Sequence, residues 1–190
     1  MPVKLHTETP LVFSSTLTAT ATENGETPVL LKLDNLQPSG SFKIRGIGNL
    51  AQRAFERGKK RLISSSGGNA GMAVAYAGSQ LDMEVKVVVP SSTPEFARKK
   101  IKAMGAHVIV HGSVWDEADK YARGLCDKDS EAQYCHPFEH VDTWEGHSSL
   151  VGEIDAQCRA QGYDRPACVV LSVGGGGLLC GVAQGLHAKK

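Results

Sequence analysis

The sequence is poor in the features that mark membrane, secreted or nucleic-acid-binding chains. No window of its 190 residues approaches a run of about 18 apolar side chains, so no spanning helix is expected. The first residues, from Met1 through Glu8 to Thr18, hold one lysine, an early acid and no apolar core of the signal-peptide kind. Charge of one sign is missing as well. Lys plus Arg is 21 against 20 Asp plus Glu, and a net charge of +1 supplies no global field for nucleic acid or an acidic membrane. Cys126, Cys135, Cys158, Cys168 and Cys180 are odd in number, scattered, and form no C-x-x-C. That usage suits reduced thiols in a cytoplasmic protein better than a disulfide framework. Internal repeats and low-complexity linkers are absent. With 41% apolar and 22% charged residues, the composition is that of a globular chain. The one excess is glycine, at 21 of 190 residues, about 11% against about 7% on average.

Short apolar runs alternate with helical patterns. Strands are expected at Val29 to Leu33, Arg61 to Ser64, Val85 to Val89, Val108 to Val110 and Val169 to Val173. Helices are expected at Phe42 to Arg57, Ala70 to Leu81, Thr93 to Met104, Val114 to Asp127, Thr143 to Gln161 and Leu178 to His187. Brief strands alternating with longer helices argue for a parallel α/β sheet covered on both faces. Such sheets bind ligands at the carboxyl ends of their strands. Two small-residue loops stand at that place: Ser64 to Gly71, and Gly174 to Gly177.

The run Gly174-Gly175-Gly176-Gly177 follows an expected strand and opens a helix. Glycine lets backbone approach an anion, and a helix N-terminus offers free N–H groups. Four consecutive glycines are conformationally too costly for a plain turn. The dinucleotide pattern G-x-G-x-x-G fails, because its third glycine would fall on Leu179 or Cys180. The P-loop pattern fails for want of Gly-Lys-Ser/Thr. What remains is a monophosphate held by backbone amides, a description that suits pyridoxal phosphate. Lys43 opens a helix after a Gly/Ser turn, where the dipole lowers an amine's pKa toward the neutral form needed for Schiff-base chemistry. Alone, Lys43 reads as one solvated lysine among many, and Ser66 to Asn69 as an ordinary N-cap; the neighbouring loops reverse that weighting.

Taken in order, Pro38-Ser39-Gly40-Ser41-Phe42-Lys43-Ile44-Arg45-Gly46, then Ser65-Ser66-Gly67-Gly68-Asn69-Ala70-Gly71, then Ser172-Val173-Gly174 to Gly177-Leu178-Leu179, resemble the fold-type II pyridoxal-phosphate enzymes. Within them the chain is most similar to the L-serine dehydratase/L-threonine deaminase group, as is Trp144-Glu145-Gly146-His147. Serine racemases and biosynthetic threonine deaminases look similar but typically carry His after the Asn of the second motif, where Ala70 stands here. The resemblance implies a tryptophan synthase β-like fold of two open parallel α/β lobes: a smaller one at 41–137 inserted into a larger one at 1–40 and 138–190. The larger lobe would be incomplete, with the residue that meets the pyridine nitrogen in its missing part.

The resemblance also implies roles. Lys43 would bind pyridoxal 5'-phosphate covalently, and Phe42 would lie against the pyridine ring. Gly174, Gly175, Gly176, Gly177 and the Leu178 amide would hold the phosphate. Ser66, Gly67, Asn69 and Ala70 would hold the substrate carboxylate, Asn69 also reaching the cofactor's phenolic oxygen. The implied substrates are L-serine and L-threonine, and the implied assembly is a homodimer. A catalytically impaired fragment or shortened isoform is the rival expectation, and a serine racemase a further one.

Other constellations read as structural. His107 and His111, like His136 and His140 beside Glu139, are four apart, and on a strand that is about 13 Å, too far for one metal. No G-x-S-x-G serine-hydrolase elbow occurs around Ser148. Arg98, Lys99, Lys100 and Lys102 read as a solvated helix face, and Trp115 and Trp144 as core residues.

Overall fold

The computed structural model describes residues 4–21 and 27–189. Four parallel strands form its main sheet: β3 (Arg61–Ser64), β4 (Glu84–Val89), β5 (His107–Val110) and β6 (Ala132–Tyr134), in the order β5-β4-β3-β6. The two strands earlier in the chain, β1 (Leu11–Phe13) and β2 (Leu30–Lys32), pair antiparallel in a separate ribbon. Successive strand residues point to opposite faces. On one face Leu62, Val85, Val87 and Val89 meet Ile44, Ile47, Leu50, Val74 and Ile101. These come from α2 (Lys43–Glu56), α3 (Asn69–Leu81) and α4 (Glu95–Ala103). On the other face Ile63 and Val88 meet Ala118 and Ala122 of α5 (Trp115–Asp127). Both faces are covered, which is why the strands read as continuous apolar runs.

The α2 pattern is explicit in sequence. Ile44, Ile47, Gly48, Ala51 and Ala54 recur at helical spacing and are buried, and the chain turns away at Gly58 with φ +80°. Two further helices, α6 (Val141–Ala160) and α7 (Gly177–His187), pack on each other through Leu150, Val151 and Val182. A short helix, α1 (Ser15–Ala21), follows β1. No helix among the described residues is long and apolar enough to cross a membrane.

Three expectations are corrected. Val169 to Val173 forms no strand: Val169 and Leu171 pack against the α6–α7 cluster, while Val170 is 91% exposed, because no described strand lies alongside to complete a ladder. Trp115 is not a core residue: it is the first residue of α5 and 39% exposed. Trp144 is half-buried, its indole N–H donating to the Phe138 carbonyl at 2.8 Å. Of the basic run, Lys99, Lys100 and Lys102 lie on the solvent side of α4, whereas Arg98 is half-buried with its Nε inside the protein, and Ile101 turns to the core.

From β3 the chain winds outward through β4 to β5, then returns across the sheet to place β6 on the other side of β3. The connections leaving β3 and β6 therefore diverge at their carboxyl ends. Such a switch point opens the crevice in which α/β sheets hold ligands.

Candidate active site

That crevice is bordered by residues 65–68 after β3 and residues 135–140 after β6. Lys43, at the start of α2, points into it. Its Nζ donates to the Pro137 carbonyl at 2.6 Å, and no carboxylate among the described residues pairs with it. The ammonium is half-buried, and desolvation holds its pKa below the ordinary lysine value. Phe42 caps α2, its ring centroid 5.3 Å from Lys43 Nζ and 5.5 Å from the His147 ring.

The serine loop divides its hydroxyls. Ser64 Oγ donates to the Cys135 carbonyl at 3.2 Å, and Ser65 Oγ is turned inward to Asp119 and Tyr134. Ser66 and Gly67 are half-buried, and Gly68 and Asn69 face solvent. Ala70 is buried. Asn69 is the first residue of α3 and Gly68 its N-cap, with no side chain capping the turn. The first amides of such a helix have no partner of their own and suit an anion.

The glycine loop opens α7 in the same way. Gly176 is the N-cap at φ +79°, a conformation L side chains rarely adopt, and no side chain caps the helix. A Cβ at Gly175 would fall 2.3 Å from the Phe138 ring, so only glycine lets this backbone pass that close. Gly174 is exposed, Gly177 buried and Leu178 half-buried.

Residues 135–138 join these parts, and the sequence reading missed them. Cys135 accepts from Ser64, Pro137 accepts from Lys43, and Phe138 underlies Gly175. His136 is buried, its Nδ1 accepting the amides of Phe138 (3.4 Å) and Glu139 (2.9 Å). His140 caps α6 by accepting from Asp142 N, His111 stacks on Tyr121 at 4.1 Å, and His107 is exposed on β5. A local signal existed in Cys135-His136-Pro137-Phe138, a polar, proline-marked exit from a strand too short to stand out.

Two further features escaped sequence reasoning. Arg45 is fully buried and forks to both Asp34 (2.7 and 2.9 Å) and Glu153 (2.9 and 2.8 Å). Lys32 also meets Glu153, at 3.0 Å. Burial alone would raise the Glu153 pKa, but these cationic partners and His6 hold it well below the carboxylate range. The network ties α2 to α6 and to the β-ribbon, and so fixes the helix that carries Lys43. His147 is fully buried with neither ring nitrogen hydrogen-bonded, and desolvation, with the charges of Lys43 and Arg45, lowers its pKa to about 3.

An open parallel α/β sheet with a desolvated lysine and two uncapped helix N-termini around one crevice defines a class: enzymes that hold a phosphorylated aldehyde cofactor beside an amine. The comparisons agree, since residues 4–190 match the model of the pyridoxal-phosphate dependent enzyme family, and the chain belongs to that family. It is 48% identical over 182 residues to the L-serine dehydratase/L-threonine deaminase of Bos taurus, covering 96% of this chain and 53% of that protein. It is 43% identical over 188 residues to the L-serine dehydratase of Dictyostelium discoideum, with the same coverage of 96% and 53%. The crystal structure of a fungal L-serine ammonia-lyase from Rhizomucor miehei superposes with a TM-score of 0.86 at 38% identity, over 97% of this chain and 56% of that one. The chain thus spans about half the length of the curated relatives it matches.

The residues fit the cofactor of the family. The donor set has an amine with no carboxylate partner among the described residues for an aldehyde, glycine amides at a helix start for a phosphate, and an aromatic ring 5.3 Å from the amine.

Proposed function

We propose that this chain carries the catalytic lysine and the cofactor- and carboxylate-binding loops of a pyridoxal-phosphate L-serine dehydratase. The reaction is conversion of L-serine to pyruvate and ammonia, and of L-threonine to 2-oxobutanoate. The observation that supports it best is Lys43 itself, half-desolvated, free of any described carboxylate, and aimed into the switch-point crevice.

In this reading Lys43 holds the cofactor, Phe42 covers one face of its ring, and Gly174 to Gly177 with the Leu178 amide hold its phosphate. Ser66, Gly67, Asn69 and Ala70 orient the substrate carboxylate, with Asn69 also on the cofactor's phenolic oxygen. Once the substrate amine takes its place on the cofactor, Lys43 Nζ would be a free amine at the reacting carbon and would accept the proton from the substrate Cα. Bound pyridoxal phosphate supplies the electron sink for the charge left at that carbon. The β-hydroxyl takes up a proton, matching the one removed from Cα, and leaves as water; the enamine so released tautomerises to an imine, which one water hydrolyses to the oxo acid and ammonia. The division into lobes at 41–137 and at 1–40 with 138–190 belongs to the same proposal, as do the homodimer and the cytoplasmic location. The similarity to named serine dehydratases and the five free thiols support it.

The test mixes the purified chain with pyridoxal phosphate and L-serine and follows pyruvate. Pyruvate formation by the parent, together with loss of both turnover and the near-visible band of lysine-bound cofactor in Lys43→Ala, is the expected result. A Lys43→Ala variant that kept that band would refute the assignment. Cofactor binding without turnover would favour a catalytically impaired fragment, a reading to which the 91% exposed Val170 lends weight. D-serine formation would favour a racemase.

A further inference from the structure

Next to the serine loop lies a polar network to which the proposed function assigns no contact with cofactor or substrate. Ser65 is fully buried, and its Oγ donates to Asp119 Oδ1 at 2.8 Å and lies 2.9 Å from the Tyr134 hydroxyl. The Tyr134 hydroxyl donates to the same Asp119 oxygen in a short hydrogen bond. Arg123 Nε donates to the other oxygen, Asp119 Oδ2, at 2.7 Å, and its guanidinium stacks 4.5 Å above the Tyr134 ring. Three elements meet here: Asp119 and Arg123 stand one turn apart on α5, Tyr134 ends β6, and Ser65 begins the loop after β3.

The core of this face does not require the network. Ile63, Val88, Ala118, Ala122 and Ala132 bury one another, and of the network only the Tyr134 ring packs against them, so the polar groups add nothing to that core. Desolvating a carboxylate, a phenol and a hydroxyl is costly unless all are satisfied, and satisfied networks of this kind rigidify what they touch. What they touch is the residue preceding Ser66. With Ser64 held by Cys135 and Ser65 by Asp119 and Tyr134, Ser66 is the one hydroxyl of the three that is not fully buried. Burial opposes the charge on Asp119, but the hydrogen bonds from Arg123, Tyr134 and Ser65 outweigh it and keep the carboxylate ionised. Arg123 lies beside that charge, which reduces the repulsion a ligand carboxylate arriving at Ser66 to Ala70 would meet.

We propose that Tyr134, Asp119 and Arg123 are positioning residues for the carboxylate-binding loop: acting through Ser65, they fix the backbone of Ser66 to Ala70 and screen it from the Asp119 charge. The loop's role as the carboxylate site rests on the proposed function; the clamp on its backbone does not.

The experiment separates the two. Amide hydrogen exchange is measured on the full chain without cofactor, for the parent, Tyr134→Phe and the smaller change Ser65→Ala. If the clamp holds the loop, the amides that bond to it, Gly68 (to Ser66 Oγ) and residues 72–75 (to the carbonyls of residues 68–71), exchange about tenfold faster in the variants, while β4 amides keep their protection. Unchanged exchange in the loop overturns the proposal, and so does equal acceleration in β4, which would mark a general loss of stability. With pyridoxal phosphate bound, the same variants should raise KM for L-serine about five- to tenfold, leaving kcat and cofactor affinity within about twofold. An unaltered KM alongside loosened amides refutes the positioning of substrate. A parent chain that forms no pyruvate refutes the dehydratase reading instead, and hydrogen exchange still decides the clamp.

Discussion

Mild acid should destabilise this protein through His147, well above the range in which its carboxylates titrate. The imidazole is fully buried among α2, α6 and α7, and neither nitrogen has a partner among the described residues. Its folded pKa is about 3, against about 6.5 in an unfolded chain. Between those values the unfolded chain binds the extra proton, so stability falls as pH drops through 6.5, and the loss saturates only below about 3. At about 1.4 kcal/mol per unit, moving from pH 7 to pH 5 removes about 2 kcal/mol. For a chain of this size the urea slope is about 2 kcal/mol per molar, so the midpoint should fall by about 1 M. His136, also lowered by burial, adds in the same direction. Urea unfolding followed by far-ultraviolet circular dichroism at the two pH values measures the shift. His147→Leu removes the titrating group and two unpaired polar atoms, and should flatten most of the dependence. Equal midpoints at pH 7 and pH 5 for the parent, or a full shift surviving in His147→Leu, would refute the reasoning.

Replacing Arg45 with Met leaves Asp34 and Glu153 without their guanidinium and should cost about 3–5 kcal/mol in urea unfolding at pH 7; a loss below about 1 kcal/mol would contradict the network's role. Asp34 and Glu153 both have folded pKa values below the unfolded ones, so their contribution is intact above about pH 5 and lost as pH falls through the folded values; a second, steeper loss of thermal midpoint below about pH 4, weakened in Glu153→Gln, is the check. A Cβ at Gly46 would stand 2.6 Å from His147 Nε2 and from the Thr143 methyl, so Gly46→Ala should cost about 1–3 kcal/mol by forcing α2 from α6. A Gly46→Ala protein as stable as the parent in the same assay would show that the helices yield freely.

What could be read from the sequence follows from how local each signal is. The α2 boundary, Lys43 at its start, and both glycine- and serine-rich loops depend on neighbours within one turn, and the structure places them where periodicity and turn chemistry put them. Residues Val169 to Val173 have the composition of a buried strand, yet a strand exists only with a partner, and none lies beside them among the described residues. Ala132–Tyr134 is a strand for the converse reason: β3 supplies the ladder that Gln133 and its short neighbours would not suggest. Trp115 looked like core because large aromatics usually are, but a helix's first residue can turn outward. The Arg45 fork could not be foreseen, since its partners are 11 and 108 positions away. A separation of 54 positions likewise hides Asp119 from Ser65.

The contact between Trp144 and Phe138 gives the protein an optical gauge of its own candidate active site. Of its two tryptophans, one donates its indole N–H to the Phe138 carbonyl, and the other, Trp115, stands edge-on to His136 at 6.3 Å. Both indoles therefore watch the same short segment, which also receives the Lys43 amine and underlies the glycine loop. Ligand-induced change there can be followed by native fluorescence, with no dye attached and no residue replaced.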